Sequence, residues 1–398
     1  MKKKVIVYQF WPIAWSNTAY SSAIALMTEH LLRISYLGVT HVWLSPIYKS
    51  PRKDHGYDIV DYCSIDPRLG TMEQFEKFIQ VAHSLNLKVV MDLVLNHVSV
   101  RNPWFDNWYS GKCQHSEYFC WSDENRPGWK NLFDGGSCWK WSVYDERYYL
   151  HLFHEDQADL NWFPNGEINH GLVKEFNGII DFWEEKGVDG WRLDVPQAIN
   201  KDLSAEKVDF DSLLVGERDK LVISALFSNR DSFVMMEHFN PTHDPGLISG
   251  YVEAGVDFVL DVTLPNERPS DFRSAANRLA ESGHFMVASE SHDTPRRTSR
   301  AGLSGTEAIH ELFDNDAQAV CLYQGQELGL RNPDDLTIED IEFLDAQYAM
   351  MLKKEIIAPD KALGESRANA RKSIPIEEFA EQFCDSESHY WTTKDLIG

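Results

Sequence analysis

The chain has 398 residues, of which 43% are hydrophobic, so it can bury a large core. Its formal net charge of −24 argues against nucleic-acid and membrane partners and favours a neutral or cationic ligand. No apolar run reaches membrane-spanning length, and the start of the chain lacks a signal-peptide cleavage site, so we expect a cytoplasmic protein.

Strand-like apolar runs alternate with helix-like segments, which is typical of a parallel sheet with crossover helices. Eight such strands most simply close into a (β/α)8 TIM barrel. An open doubly wound sheet is the alternative, but no glycine-rich phosphate loop follows an early strand. The predicted strands are Val5–Phe10, Val39–Ser45, Lys88–Asp92, Val188–Asp194, Phe233–Glu237, Val256–Asp261, Phe285–Glu290 and Ala319–Tyr323.

Two predicted helices lie within this alternation, and a third follows the last strand. Thr71 to Gln74 has the pattern of a capping box, and apolar residues follow it at helical spacing. An apolar stripe from Leu172 to Trp183 predicts a second helix, which Gly187 ends. The charged segment Leu336–Lys353 is predicted to be helical as well.

Residues 98–169 interrupt the alternation, because they are polar, irregular and rich in aromatic residues. A loop of this length is usually functional or a small subdomain. We therefore divide the chain into a barrel with a C-terminal tail, residues 1–97 and 170–398, and an inserted subdomain, residues 98–169. The aromatic side chains of the insertion form either its own core or platforms for a ligand.

The six cysteines are scattered and include no Cys-x-x-Cys pair. In a chain of this size they are expected to be free thiols in a reducing compartment. A disulfide among Cys113, Cys120 and Cys138 is the alternative if the protein is exported.

Gly190–Asp194 ends in a carboxylate two residues after an arginine. In a strand, the period of two places Arg192 and Asp194 on the same face. A guanidinium at this distance is expected to lower the pKa of the carboxyl group and keep it ionised. A purely structural ion pair is the alternative interpretation.

Other polar residues also follow predicted strands, and in a barrel all of them meet at the carboxyl-end face. Several carboxyl groups in one cleft raise at least one pKa, so that one group is ionised and another is protonated. Glycoside cleavage requires such a pair. The residues concerned are Asp92, Asn96, His97, Arg192, Asp194, Glu237, His292 and Asp293.

Four sequence blocks resemble the conserved regions of the α-amylase family, glycoside hydrolase family 13, in both order and spacing. Three further blocks are similar to the same family, and the similarity runs from about Val5 to Arg371. The four blocks are Asp92-Leu-Val-Leu-Asn-His97, Gly190-Trp-Arg-Leu-Asp194, Met236-Glu237 and Ser291-His-Asp293. The further blocks are Trp43 to Pro51, Gly56 to Tyr62 and Tyr323 to Gly329.

The resemblance implies a role for each of three acids. Asp194 resembles the nucleophile that forms a covalent glycosyl-enzyme intermediate, and Glu237 resembles the general acid/base. Asp293 resembles the third acid, which binds sugar hydroxyls in the transition state. Asp92 is expected to be a structural anchor beneath the site.

The resemblance also implies substrate-binding residues. His97, Arg192 and His292 are similar to the groups that hold the sugar and the nucleophile, and Tyr57 resembles the ring on which the sugar stacks. Asp58 and Arg367 resemble a pair that closes the pocket around a non-reducing end, with Arg371 as the alternative to Arg367.

Two further features resemble the oligo-1,6-glucosidase group of this family. They are the block Gln157-Ala-Asp-Leu-Asn161 and Val195, which directly follows the predicted nucleophile. In that group, valine at this position is favoured in enzymes that cut α-1,6 bonds. One methyl group biases a pocket by only about 1–3 kcal/mol.

Some features depart from the family pattern. The first loop, Phe10 to Tyr20, lacks the acidic run that binds a metal ion in many relatives, so we predict no metal and no cofactor. Ser291 stands where relatives usually have asparagine, and Arg367 is followed by alanine where aspartate is usual. The sequence after Arg371 is too short for the usual C-terminal β-sandwich, so we expect none.

The leading hypothesis is a retaining exo-acting α-glucosidase for short α-glucosides, with a preference for α-1,6 bonds. Glucosyl transfer or isomerisation through the same intermediate is the second hypothesis. A non-catalytic sugar-binding relative is the third, although such proteins usually lose carboxylates that are present here. A small-molecule glucoside is the expected partner, and self-association into a homo-oligomer is left open.

Overall fold

The computed structural model describes residues 4–16, 22–106, 111–208, 210–214, 216–240, 242 and 244–372. Eight parallel strands form a closed barrel in which each strand pairs with the next one in the chain, and the eighth pairs with the first. The predicted (β/α)8 barrel is therefore confirmed, and the open-sheet alternative is wrong. The strands are β1 (Val5–Phe10), β2 (His41–Leu44), β3 (Lys88–Val94), β4 (Gly190–Asp194), β5 (Phe233–His238), β6 (Phe258–Asp261), β7 (Phe285–Val287) and β8 (Ala319–Tyr323).

Helices lie between the strands and continue after β8. Within the described residues they are α1 (Ala23–Tyr36), α2 (Met72–Ser84), α3 (His170–Glu185), α4 (Phe210–Leu213), α5 (Arg218–Phe227), α6 (Ser249–Glu253), α7 (Pro269–Ala280), α8 (Arg297–Arg300), α9 (Gly305–Phe313), α10 (Ile338–Leu344), α11 (Ala346–Lys353), α12 (Pro359–Glu365) and α13 (Ala368–Arg371).

The local sequence explains how the two predicted barrel helices begin and pack. Thr71 accepts a hydrogen bond from the Gln74 amide, and the Gln74 side chain returns to Thr71, so the capping box at the start of α2 is confirmed. In α3 the predicted stripe is largely buried, with Phe176, Ile180 and Trp183 facing the core. Both helices therefore cover the outside of the barrel with their apolar faces.

The interior of the barrel has its own apolar cluster, separate from the larger core between sheet and helices. It includes Trp43, Val90, Met235, Met286 and Cys321, each of them 1% exposed or less. These side chains fill the barrel, so polar groups have room only at its rim.

The predicted helix Leu336–Lys353 is interrupted at Asp345. This residue has extended backbone angles, φ −148° and ψ 90°, and separates α10 from α11. Its buried carboxylate accepts hydrogen bonds from Tyr348 N, Ser366 Oγ and Arg367 N. The helix therefore ends because Asp345 caps the next one and anchors the segment that follows.

The insertion between β3 and α3 contains a three-stranded antiparallel sheet: Trp121–Ser122, Trp139–Ser142 and Arg147–Leu150. The two ends of the insertion are held together by antiparallel pairing of the short strands His97–Ser99 and Gln157–Asp159. Its core contains Trp129 and Trp139 together with Val208 and Leu213 from the loop after β4. These tryptophans are core residues, and the insertion packs on the β4 loop.

Five cysteines lie in the described ranges and are free thiols: Cys63, Cys113, Cys120, Cys138 and Cys321. No helix within these ranges is long and apolar enough to cross a membrane. No further sheet follows β8 between residues 324 and 372. Residues 373–398, including Cys384, lie outside the described part of the chain.

Candidate active site

Three neighbouring strands bring charged residues together at the carboxyl end of the barrel. Asp92 on β3 is the register partner of Arg192 on β4, and Arg192 in turn is the register partner of Met235 on β5. Asp194 and Glu237 lie two positions further along their strands, on the same faces, because side chains alternate with period two. The adjacent strand ends therefore bring the three acids to one arginine.

Arg192 is the centre of this cluster. Its Nη1 donates to Asp92 Oδ1 at 2.6 Å and to Asp194 Oδ1 at 2.5 Å, while Nη2 donates to Glu237 Oε2. The Arg192 side chain is only 1% exposed. A single positive charge thus faces three buried carboxyl groups, which cannot all ionise at little cost.

The pKa values of the three carboxyl groups reflect this imbalance. Burial raises the pKa of Glu237 to about 7 and that of Asp92 to about 6, against the opposing effect of Arg192. Burial also raises the pKa of Asp194, and the neighbouring Glu237 and Asp92 charges add to this. Arg192 acts to lower the pKa of Asp194, as expected, but the net pKa is raised because desolvation and like charges outweigh one shared cation.

Asp92 lies below the other two acids and is fully buried. Its Oδ2 accepts a hydrogen bond from Trp43 Nε1 at 2.9 Å, and Tyr48 Oη donates to its main-chain carbonyl at 2.6 Å. With these partners and Arg192, Asp92 anchors the site from beneath.

Asp293, on the loop after β7, has a different environment. Its Oδ1 accepts hydrogen bonds from Arg367 Nη1 at 3.0 Å and Arg371 Nη2 at 2.8 Å. Burial disfavours the charged form of Asp293, but the Arg367 and Arg371 guanidiniums outweigh this and hold its pKa below the usual range. Asp293 is therefore an ionised carboxylate in the same cleft as the carboxyl groups that bind Arg192.

His292 and Tyr57 line the cleft beside Asp293. The Tyr57 hydroxyl is 2.9 Å from His292 Nε2, and the two rings stack with centroids 5.9 Å apart. Gln9 Nε2 lies 2.6 Å from His292 Nδ1. Burial lowers the pKa of His292 well below its ordinary value, so the ring is neutral.

His97 lies next to the insertion. Its Nε2 lies 3.0 Å from Gln157 Nε2, and the Gln157 amide also donates to Asp54 Oδ2 at 3.0 Å. Burial lowers the pKa of His97 to about 3, so this ring is neutral too. Gln157 therefore ties a short strand of the insertion to two residues of the barrel loops.

The predicted pairing of Asp58 with Arg367 is not found, and this assignment is corrected. Asp58 is fully buried, and its carboxylate accepts hydrogen bonds from Ser50 Oγ, Lys53 N and Asp54 N, so it stabilises its own loop. Asp54 faces the cavity instead, and its Oδ1 has no hydrogen-bond partner among the described residues. Arg367 pairs with Asp293 and Asp345.

A cavity of about 710 Å³ connects these residues. Arg192 and Asp58, also predicted, do not line it; Arg192 acts from beneath through the acids it binds. No group of three metal-ligating side chains in the described ranges is arranged to hold a metal ion, and residues 17–21 of the first loop lie outside those ranges. The predicted residues that line the cavity are Tyr57, His97, Asp194, Glu237, His292, Asp293, Arg367 and Arg371.

Sequence reasoning missed several cavity residues. Asp54 precedes His55 and Gly56, both with positive φ, and this tight turn became visible only in the structure. Phe133 and Phe153 come from the insertion and pack edge to face at 5.5 Å. Nothing in their sequence distinguishes these two rings from core aromatics.

Comparison with known proteins agrees with this geometry. A family model described as alpha amylase, catalytic domain, matches residues 16–220. The chain is 34% identical to trehalose-6-phosphate hydrolase of Bacillus subtilis (strain 168), covering 94% of this chain and 73% of that protein. It is 36% identical to oligo-1,6-glucosidase of Bacillus cereus, covering 89% of this chain and 70% of that protein.

A solved structure leads to the same family. The crystal structure of trehalose-6-phosphate hydrolase from Bacillus licheniformis matches with a TM-score of 0.78 and 28% identity, covering 94% of this chain and 74% of that one. Together with Asp194, Glu237 and Asp293, which line one cavity, these matches show that the chain belongs to the α-amylase family, glycoside hydrolase family 13, and is a glycoside hydrolase.

Proposed function

We propose that the protein is a retaining, exo-acting α-glucosidase that removes glucose from short α-glucosides, with a preference for α-1,6 bonds. The observation that carries the proposal is the shared contact of Asp194 and Glu237 with one guanidinium, that of Arg192. Retaining enzymes need two carboxyl groups about 5 Å apart, and two groups bound to one guanidinium lie close together.

The reaction uses the two carboxyl groups in opposite protonation states. Asp194 attacks the anomeric carbon and forms a glucosyl ester, while Glu237 gives its proton to the departing glycosidic oxygen. Glu237 then takes a proton from water as that water attacks the anomeric carbon; the bond from this carbon to the Asp194 oxygen breaks, which releases glucose and the free Asp194 carboxylate. The raised pKa of Glu237, about 7, supports its role as the proton donor near neutral pH.

The surroundings of Asp293 support recognition of a terminal sugar. Asp293, Arg367 and Asp54 line the same cavity and offer charged partners for several sugar hydroxyls. The insertion contributes Phe133 to this region, and the centroid of its ring lies 5.6 Å from Cζ of Arg367. A pocket enclosed in this way favours the end of a sugar chain over its middle.

The linkage preference rests on Val195 and on relatives. Val195 lines the cavity directly after the nucleophile, and one relative is named oligo-1,6-glucosidase. The relatives named trehalose-6-phosphate hydrolase add a phosphorylated disaccharide to the substrates that require testing. The free thiols in the described ranges support a cytoplasmic location.

A substrate panel with chromatographic product analysis tests the proposal. Isomaltose, maltose, sucrose, trehalose, trehalose 6-phosphate and a maltooligosaccharide blocked at its non-reducing end are compared. The proposal predicts α-glucose as the first product, fastest turnover of isomaltose and no cleavage of the blocked substrate.

Other outcomes would contradict individual parts of the proposal. First release of β-glucose excludes the retaining mechanism, and cleavage of the blocked substrate excludes exo action. Disaccharide products in place of free glucose, with sucrose or isomaltose as donor, would establish transfer or isomerisation. Binding without turnover of any substrate would establish a non-catalytic sugar-binding protein.

A further inference from the structure

Val195 has an unusual backbone conformation directly after the nucleophile. Its φ is +35° and its ψ is +48°, which is the left-handed region. Valine is β-branched, and such residues are genuine outliers at positive φ. In addition, Pro196 follows, and a residue before proline is normally extended. The sequence at this point therefore opposes the conformation that the fold imposes.

The left-handed conformation of Val195 determines where its main-chain N–H points. Strand β4 pairs with β5 up to Leu193 and Met236, and the chain leaves the sheet after Asp194. Pro196 has no N–H, and the Val195 N–H donates to the side chain of Glu237, at 2.7 Å from Oε1. A donor at the end of one strand thus binds the carboxyl group of the next.

Glu237 is held at both oxygens as a result. Oε1 accepts from Val195 N, and Oε2 accepts from Arg192 Nη2. Arg192 is shared with Asp92 and Asp194, whereas no other hydrogen bond of the Val195 N–H is found in the described ranges. Val195 N–H is therefore the donor specific to Glu237.

We propose that Val195 is a positioning residue for Glu237: its strained main chain aims one N–H at the carboxyl group and orients the acid toward the glycosidic oxygen. Strain of this kind is found at functional sites where the surrounding fold holds it. The inference rests on the proposed function, in which Glu237 is the proton donor, and it adds a role for the main chain of Val195.

The direct test removes only this N–H. Val195 is replaced by 2-hydroxy-3-methylbutanoate through nonsense suppression, which changes the amide to an ester and keeps the side chain. The matched control is the same replacement at Val259, a buried valine of β6 whose N–H donates to His284 O at 2.8 Å. Both proteins lose one main-chain donor in the barrel.

Two substrates separate positioning of the acid from general damage. Isomaltose has a poor leaving group and needs a proton, whereas α-glucosyl fluoride needs little help from an acid. We expect the Val195 ester to lose about tenfold or more in kcat/KM for isomaltose and less than about threefold for α-glucosyl fluoride. The Val259 ester is expected to keep the parent ratio of the two activities.

The pH profile gives a second measurement that a merely structural role would not change. Hydrogen bonds from N–H groups stabilise the ionised carboxylate, so their removal raises the pKa of Glu237. The basic limb of kcat/KM for isomaltose should therefore move to higher pH in the Val195 ester. An unchanged limb and an unchanged substrate ratio in a folded Val195 ester would overturn the inference.

Substitution by an ordinary amino acid provides the same test if the ester fails to fold. Val195→Gly frees φ, and it is assayed with phenyl α-glucoside in place of isomaltose because the Val195 side chain is also proposed to set the linkage preference. We expect a larger loss on phenyl α-glucoside, whose leaving group needs the acid, than on α-glucosyl fluoride. Equal losses on both substrates in Val195→Gly would contradict the inference. Failure of the parent protein on every α-glucoside would instead contradict the proposed function.

Discussion

Arg192 and Asp194, two positions apart on β4, are joined by a hydrogen bond of 2.5 Å from Nη1 to Oδ1. The contact exists because side chains with this spacing lie on the same face of a strand. Arg192 also binds Glu237 and Asp92, so the proton balance of the nucleophile depends on two neighbouring strands.

Asp194→Asn removes the nucleophile while keeping the size of the side chain. We expect kcat with p-nitrophenyl α-glucoside to fall on the order of 10⁴-fold or more, because no glucosyl ester can form. A stopped assay over long incubation measures the residual rate, and circular dichroism checks the fold. Turnover close to that of the parent would refute the assignment of Asp194.

The pH dependence of the rate should follow Glu237. Its pKa is raised by burial to about 7, and the acid must carry its proton for the first step. We expect kcat/KM for isomaltose to fall as the pH rises above about 7. In Glu237→Gln, the residual activity on isomaltose should lack this basic limb; a limb that persists there belongs to another group.

The raised pKa of Glu237 also predicts how the free energy of unfolding depends on pH. Glu237 has an ordinary pKa of 4.5 and a folded value of about 7, so the folded state binds the proton more tightly. The stabilising contribution of this carboxyl group to the free energy of unfolding is fully present below its ordinary pKa. That contribution is lost as the pH rises through the pKa in the folded state.

Glu237→Gln carries no titrating group at this position. Chemical denaturation at pH 5 and pH 8 should therefore show a smaller drop in the free energy of unfolding for the variant than for the parent. An equal drop in both proteins would contradict the buried environment of Glu237.

Asp54 and Asp58 form a matched pair for testing the corrected pocket. Asp54→Asn should lower kcat/KM by about 10- to 100-fold, because a charged acceptor facing the sugar is lost. Asp58→Asn should instead reduce the free energy of unfolding by about 1–3 kcal/mol, since its loop contacts are weakened. Steady-state kinetics and urea denaturation of both variants measure the two losses. A loss of kcat/KM in Asp58→Asn together with a loss of stability in Asp54→Asn would show that Asp58 is the substrate-binding residue.

Lys201 links the β4 loop to the insertion in a buried position. Its Nζ donates to Asn96 Oδ1 at 2.6 Å and Ala198 O at 3.2 Å, and lies 3.2 Å from Asp159 Oδ2. Lys201→Met leaves the Asp159 carboxylate buried without its cation, and should cost about 3–5 kcal/mol in urea denaturation.

Lys186→Met is the control for Lys201→Met. Lys186 pairs with Glu76 at 2.9 Å near the surface, with side chains 23% and 45% exposed. Surface ion pairs contribute little, so this variant should remain within about 1 kcal/mol of the parent. Equal losses in the two variants would contradict a special role for Lys201.

The sequence by itself determined the barrel and the main acids of the site. Strand β1, Val5–Phe10, and strand β8, Ala319–Tyr323, have the predicted bounds because their apolar runs are short and sharply ended. The shared face of Arg192 and Asp194 follows from the period of two alone. These properties are local, so a pattern of residue types was sufficient to find them.

Only the tertiary structure decided the properties that depend on distant neighbours. Asp54 faces the cavity and Asp58 does not, because the turn at His55 and Gly56 sets their directions. The pKa of Asp194 is raised because burial and charges from β3 and β5 outweigh one arginine. Desolvation is the sum of all surrounding atoms, and no run of neighbouring letters in the sequence contains that sum.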